Sequence, residues 1–214
     1  MEKQDIKSLT LEELTEAIRQ MGDKPFRAKQ IYQWLHQKLV ADFDEMSNLS
    51  KPLREKLKEQ FVLTALYPAD VKISQIDGTR KYLFRLADGN VIESVWMQYH
   101  HGNSVCISSQ VGCRMGCRFC ASTLDGLERN LTPAEMLDQI YRIQTLTGER
   151  VSNIVIMGSG AVSYTHLDVY KRQKRSHAGH DERQTDEPPA PGRCRLGQDC
   201  GRRRARLFLS LIHI

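Results

Sequence analysis

Apolar residues recur at two different spacings along this chain, and the change of spacing divides it. Over residues 11–20, Leu11, Leu14 and Ile18 return every three or four positions, which places them on one face of a helix. Thr10 precedes them and Glu13 follows three residues later, a pair able to cap a helix start reciprocally, with Gly22 as a stop. The stretch "KPFRAKQIYQWLHQKL" (24–39) predicts a second helix with Phe26, Ile31, Trp34 and Leu35 on one side. A third, "SKPLREKLKEQF", takes Ser50 as its cap and Pro52 in its first turn. Residues 1–62 therefore read as a small helical domain.

From Leu63 the period shortens to that of strands. "KYLFRL" and "VIESVWM" flank the turn "ADGN" as a hairpin, and "SVCISSQ" continues the sheet. "TPAEMLDQIYRIQTLTG" predicts a helix with Thr132 as cap, Pro133 at its start and Glu135 completing the box. Its inward positions are Met136, Leu137, Ile140, Tyr141 and Ile143. "VSNIVIMGSG" is a short continuous apolar run ending in glycines, the pattern of a strand buried on both faces. Strand, loop, helix and strand make a βαβ unit, so residues 63–160 read as a hairpin region leading into an α/β layer. After Gly160 the pattern is lost. Lys171 to Arg206 is nearly devoid of large apolar residues and cannot bury enough surface to offset its chain entropy. The break predicts a disordered tail over 161–214. It is either a basic extension whose "GRRRAR" could touch RNA or, the reading we prefer, sequence foreign to the body.

The formal net charge of +5 changes this picture less than it first suggests. Residues 1–160 carry equal numbers of basic and acidic side chains, and the whole excess lies in 161–214. What stands out locally is the stretch from Lys24 to Val40, which holds Lys24, Arg27, Lys29 and Lys38 and no acid. It is either an ordinary solvated face or an RNA-contacting one. No apolar run approaches the roughly 20 residues that span a bilayer, and "MEKQDIKSLTLEEL" lacks a signal peptide's apolar centre. The expected location is the cytoplasm, with no membrane partner. There, clustered cysteines point to metal or catalysis rather than to disulfides.

Four of the six cysteines fall within "VCISSQVGCRMGCRFCAST" (105–123). Cys113, Cys117 and Cys120 form an asymmetric triplet. A structural zinc site takes four ligands and would have to recruit Cys106, His100 or His101. Three thiolates on one loop suit a 4Fe–4S cluster whose fourth iron stays open. Read alone, Cys106 alternates with Val105 and Ile107 as a core thiol, and Glu93 is an outward strand carboxylate.

The string "CRMGCRFC", on the loop after the first strand of a βαβ series, resembles the signature of radical S-adenosylmethionine enzymes, and "NIVIMGSG" resembles their glycine motif. The longer strings "SVCISSQVGCRMGCRFCAST" and "RNLTPAEMLDQI" are more similar still to one subgroup, the RlmN/Cfr RNA methyltransferases, and the resemblance spans residues 1–160. It implies a helical RNA-contacting domain followed by a partial β/α barrel. It implies a 4Fe–4S cluster on Cys113, Cys117 and Cys120, with S-adenosyl-L-methionine bound at the open iron and contacted by Gly158 and Gly160. The implied activity is methylation of adenine carbon 2 in 23S rRNA and tRNA by a monomer, with a flavodoxin-type electron donor. In that family a cysteine near the C-terminus is first methylated, its methyl group becomes a carbon radical, and that radical adds to the base. Glu93 matches the proton acceptor, and Cys106 matches the cysteine that releases product by closing a disulfide. Methylation at carbon 8, or a non-enzymatic zinc-containing RNA-binding module, are the alternative readings. The sequence departs from the family after Gly160, where Ala161 and Val162 replace Glu-Pro. The later strands and the methyl-carrying cysteine find no match, and Cys194 and Cys200 are no substitutes. The chain is therefore expected to be an inactive fragment with a truncated barrel.

Overall fold

The computed structural model describes residues 3–161. The tail expected from Ala161 onward lies, from Val162, outside the described residues. The described part is an α/β structure with four α-helices.

Its first half is built on three helices: α1 (Leu11–Gln20), α2 (Phe26–His36) and α3 (Lys51–Gln60). The capping box of α1 forms as expected. The Glu13 amide donates to Thr10 Oγ1 at 3.3 Å, and the Thr10 amide donates to Glu13 Oε2 at 2.8 Å. Ser50 does precede α3, but its side chain makes no capping bond. A short strand β1 (Gln4–Asp5) pairs in parallel with β2 (Phe61–Val62), tying the two ends of the helical region together. Leu14, Ile18, Ile31, Leu35, Leu53 and Leu57 meet in one core. Phe26 is not among them, being 52% exposed. The inward positions of α2 are Ala28, Ile31 and Leu35, and a residue two places before Ala28 points away from that face. The Arg27 guanidinium lies over its ring at 5.0 Å instead.

The second half is a five-stranded sheet in the order β3-β4-β5-β6-β9. Its strands are β3 (Tyr67–Ile73), β4 (Arg80–Arg85), β5 (Val91–Met97), β6 (Asn103–Ile107) and β9 (Val151–Ile156). Neighbours are antiparallel except β6 and β9, which run parallel with helix α4 (Pro133–Thr147) between them in sequence. The α4 capping box forms between Thr132 and Glu135, as the sequence predicts. Ile92 and Trp96 of β5 and Val105 and Ile107 of β6 share a second core with Met136, Ile140, Tyr141 and Ile143 of α4. Leu137 only packs against its edge. The register Lys81↔Val95↔Cys106↔Val155 puts those four residues, and Glu93 by alternation, on the face away from α4.

The two cores are joined by buried polar contacts on α4. Lys7 and Asp138 form an ion pair in which each side chain is 1% exposed. Lys7 Nζ also donates to the Thr64 carbonyl at 2.7 Å, and Asp138 accepts from the Leu66 amide at 2.6 Å and from Arg142 Nε at 3.3 Å. The Ala134 amide donates to Ser8 Oγ at 3.2 Å, and His36 Nδ1 lies 2.7 Å from the Tyr141 hydroxyl. Burial, helped by the Lys7 charge, pushes the His36 imidazole down to about 4. The folded state therefore takes up this proton later than the unfolded chain, whose His titrates near 6.5. The stabilising preference for neutral His36 is fully present above about pH 6.5 and is lost as pH falls toward about 4. Urea titrations across that window should show a loss on the order of 3 kcal/mol that His36→Gln flattens. An unchanged pH slope in the variant would remove His36 as its source.

Candidate functional site

The cysteine loop is closed at its base by two short strands, β7 (Gln110–Gly112) and β8 (Leu127–Asn130), in antiparallel register. Gly112 sits at φ +70, and a Cβ there would lie 2.0 Å from the Gly126 carbonyl oxygen, so the closure needs a glycine. The Cys113 amide donates to that same carbonyl at 2.8 Å. Inside the loop the Cys120 amide donates to the Cys117 carbonyl at 3.1 Å, and Thr123 Oγ1 donates to the carbonyls of Cys117 and Cys120 at 3.0 and 2.8 Å. Within the loop, its own backbone and the Thr123 hydroxyl thus hold its shape. Cys113 is buried, Cys117 and Cys120 are half-buried, and all three thiols are free.

The structure places the three cysteines on one loop but does not bring their side chains to a common point: among the described residues no three His, Cys, Asp or Glu groups are gathered to hold a metal ion. By donor chemistry the loop still fits an iron–sulfur cluster, since it offers three free, soft thiols. His100 and His101, the recruits a zinc site would need, lie on the turn at the other end of β6, where His101 stacks on Tyr99 with ring centroids 5.1 Å apart.

The glycine turn packs directly on the end of β6. The Gly158 amide donates to the Ile107 carbonyl at 3.0 Å, and the Ser109 and Gln110 amides donate to the Ser159 carbonyl at 2.9 and 3.1 Å. The Ala161 amide donates to Gln110 Oε1 at 3.0 Å. A Cβ at Gly158 would lie 2.7–2.9 Å from Ser108 Oγ, Ser108 N and Ile107 C, and one at Gly160 (φ +116) would lie 2.6 Å from Ser109 Oγ. Close approach to the Ile107–Ser108 backbone thus requires Gly158, and the positive φ together with the Ser109 and Gln110 side chains requires Gly160. Ser122 Oγ of the cysteine loop meets Ser159 Oγ at 3.3 Å, so loop and turn are neighbours. Between them opens a cavity of about 290 Å³ lined by Val91, Gly112, Ala121, Ser122, Gly126 and Ser159.

Glu93 and Cys106 share the sheet face away from α4, on adjacent strands. Glu93 Oε2 lies 2.5 Å from Lys81 Nζ in a half-exposed pair that adds little to stability. Burial pushes the Cys106 thiol up, and the Glu93 charge pushes the same way, against the Met157 amide, which favours the thiolate. Cys106 is therefore a protonated, weakly nucleophilic thiol at neutral pH.

Several residues that hold this arrangement escape a sequence reading. Arg129 of β8 bonds Asp88 at 2.6 Å and both Glu135 oxygens at 2.8 and 2.9 Å, fixing the returning strand of the cysteine loop to the hairpin turn and to α4. Its guanidinium holds the Asp88 carboxyl down to about 2. Gln110 Nε2 donates to Asn130 Oδ1 at 2.7 Å across the loop's base. Ser108 and Gln139, both wholly buried, join three elements at the end of β6. The only signal in the sequence is polarity out of place, "SSQ" after an apolar strand and Asp138-Gln139 inside an apolar helix face.

Comparison with known proteins gives this arrangement relatives. Residues 4–63 match the family model of the ribosomal RNA large subunit methyltransferase N-terminal domain. A probable dual-specificity RNA methyltransferase RlmN of Lachnoclostridium phytofermentans is 67% identical over 159 residues, covering 74% of this chain and 45% of the relative. The protein of the same name in Alkaliphilus oremlandii is 60% identical over 160 residues, covering 75% of this chain and 46% of the relative. Among solved structures, a radical SAM methyltransferase from Sphaerobacter thermophilus superposes with a TM-score of 0.71 at 39% identity, covering 80% of this chain and 51% of that one. The chain spans about half the length of the curated relatives it matches. With its matched N-terminal domain, its cysteine loop and its α/β layer, the body of this chain is similar to RlmN proteins and to a radical SAM methyltransferase over about half of their length.

Proposed function

We propose that residues 1–160 are the N-terminal part of a radical SAM methyltransferase that modifies adenine carbon 2 in ribosomal RNA and tRNA, in the cytoplasm, as a monomer with a flavodoxin-type electron donor. The observation that carries this reading is the cysteine loop, closed at its base and touching the glycine turn through Ser122 and Ser159, in a chain 67% identical to an RlmN relative. Cys113, Cys117 and Cys120 would hold a 4Fe–4S cluster, and Gly158 and Gly160 would lie against S-adenosylmethionine. Bound there, the cluster supplies the electron that cleaves the cofactor. The chain's own residues do the rest. The cysteine loop and glycine turn confine the cofactor beside the cavity, Glu93 accepts the proton lost from the adenine carbon, and Cys106 closes onto the methyl-bearing cysteine to release product. Lys81 Nζ, 2.5 Å from Glu93 Oε2, orients that carboxylate on the sheet face it shares with Cys106. In this reading the strand–helix–strand of β6, α4 and β9 opens the partial barrel, and residues 1–62 are the RNA-contacting domain. The 214-residue chain by itself is inactive, because its sequence after Gly160 departs from the family's Glu-Pro.

The test is a chimera of residues 1–160 joined to the C-terminal half of the L. phytofermentans relative. Incubated anaerobically with unmodified ribosomal RNA, it should form 2-methyladenosine by mass spectrometry, and Cys106→Ala should abolish release. Formation of 8-methyladenosine would move the reading to the other carbon, and no methylated base would defeat it.

The RNA-contacting role rests on α2 and the turns before and after it. Lys24, Lys29 and Lys38 are exposed, and Lys38 lies 3.4 Å over the Trp34 ring. Arg27 is engaged with Gln30 and the Asn48 carbonyl at 2.9 and 3.3 Å. Reversing the three lysines to Glu in the chimera should weaken RNA binding. The slope of log affinity against log salt should fall by about 0.7–0.9 for each phosphate that is no longer neutralised. Unchanged affinity and slope would make this a plain solvated face.

A further inference from the structure

At Ser108 the chain leaves strand β6, and its peptide groups lose their neighbours in the sheet while staying wholly buried. Unpaired, they would carry the full penalty of buried polar groups. The partner that meets them is a side chain. Gln139 Oε1 accepts from the Ser108 amide at 2.9 Å and Gln139 Nε2 donates to the Ser108 carbonyl at 3.0 Å, so one carboxamide pairs with the residue as a neighbouring strand would. The same carboxamide accepts from Ser94 Oγ at 2.8 Å and donates to the Glu135 carbonyl at 3.3 Å, which fills both its donor and both its acceptor capacities. Gln139 is itself wholly buried. Ser108 passes the constraint on. Its hydroxyl donates to the Glu93 carbonyl at 2.7 Å and accepts from the Ser159 amide at 3.0 Å. One junction thus fixes the strand that bears Glu93, the strand end two residues past Cys106, the glycine turn, and the start of the chain that runs into Cys113.

We propose that Gln139 is a positioning residue: acting as a surrogate strand partner for Ser108, its carboxamide sets Glu93, Cys106 and the glycine turn in fixed relation to one another. The functional meaning rests on the reading above, but the geometry can be tested without it. Burial of Cys106 depends on β6 and the turn staying together, since the Met157 amide beside the thiol belongs to the segment Ser108 holds. Gln139→Glu keeps the size of the side chain and replaces its donor by an oxygen facing the carbonyls of Ser108 and Glu135. That arrangement cannot be satisfied, so the junction opens locally. Gln139→Met removes the pairing without the added charge. Ser108→Ala leaves the Gln139 grip on the backbone and cuts only the links to Glu93 and Ser159. Ile143→Val, a wholly buried change on the same helix outside the network, is the control for general loosening.

The measurement is iodoacetamide alkylation of Cys106 in the purified 214-residue chain without added iron, followed peptide by peptide in a mass spectrometer. Relative to the parent chain, Gln139→Glu and Gln139→Met should accelerate Cys106 by about tenfold, because local opening of the junction exposes the half-buried thiol to water and reagent. Ser108→Ala should give about threefold and Ile143→Val less than about twofold. If Gln139→Glu fails to fold, Gln139→Met and Ser108→Ala decide. Equal acceleration by Ile143→Val, or Gln139 variants matching the parent chain, would overturn the proposal. Because the readout needs neither cluster nor methyl transfer, failure of the activity reading leaves it intact, and its own failure leaves the activity reading standing.

Discussion

Asp138→Ala is expected to destabilise the fold by about 3–5 kcal/mol, the cost of leaving a buried charge without its partner. Lys7 and Asp138 are each 1% exposed at the side chain, and Asp138 also accepts from the Leu66 amide and from Arg142. Deleting the carboxylate strands the Lys7 ammonium and a buried amide together, at the seam between the two cores. Lys7→Met should cost less, because Asp138 keeps Arg142 and the Leu66 amide. The double change Lys7→Met with Asp138→Ala should cost less than the sum of the single ones, since removing both partners leaves no buried charge behind. Urea unfolding of the four proteins measures this. A loss below about 1 kcal/mol for Asp138→Ala, the range of a surface pair, would mean that the seam is wet.

The second large effect is on iron. Anaerobically reconstituted protein should hold about four irons and four sulfides, and changing any one of Cys113, Cys117 or Cys120 to Ala should reduce both to near zero. A cluster held by three thiolates has no spare ligand on this loop, where Arg114, Met115, Arg118 and Phe119 are the other side chains between them. Cys106 sits on the sheet face of β6 rather than on the loop, so Cys106→Ala should leave iron content unchanged. Stoichiometric zinc in place of iron, or iron lost with Cys106, would sink the cluster assignment.

How much of this was legible depended on how local the physics is. The boxes of Thr10–Glu13 and Thr132–Glu135 were readable because cap and partner lie three residues apart. The hairpin of β4 and β5 and the buried faces of α1 and α4 followed from their periods for the same reason, except that Leu11, at the first position of α1, is exposed and only Leu14 and Ile18 are buried. β3 did not announce itself: all seven of its residues are exposed, it contains Pro68, and its register shifts between Pro68 and Asp70, as an edge strand can tolerate. β7 and β8, at three and four residues, are too short to show a period. The candidate site was legible as three thiols on one loop, because thiol spacing is written in the chain. What holds that loop, and the seam between the two cores, was not, because Gln139 and Arg129 at the loop and Asp138 at the seam act across 31, 41 and 131 residues of sequence. Gly158 and Gly160 add a different case. Resemblance pointed to a cofactor, while the structure supplies a packing reason of its own, the approach of Ser108 and Ser109.

If the cysteine loop and the glycine turn together form a cofactor site, one spectrum should show it. The chimera carrying residues 1–160 is reconstituted with iron and sulfide, reduced, and examined by electron paramagnetic resonance before and after S-adenosylmethionine is added. The expected result is the signal of a reduced 4Fe–4S cluster whose g values shift when the cofactor binds its open iron. A cluster signal indifferent to the cofactor, or no iron signal in a protein loaded with zinc, would contradict it.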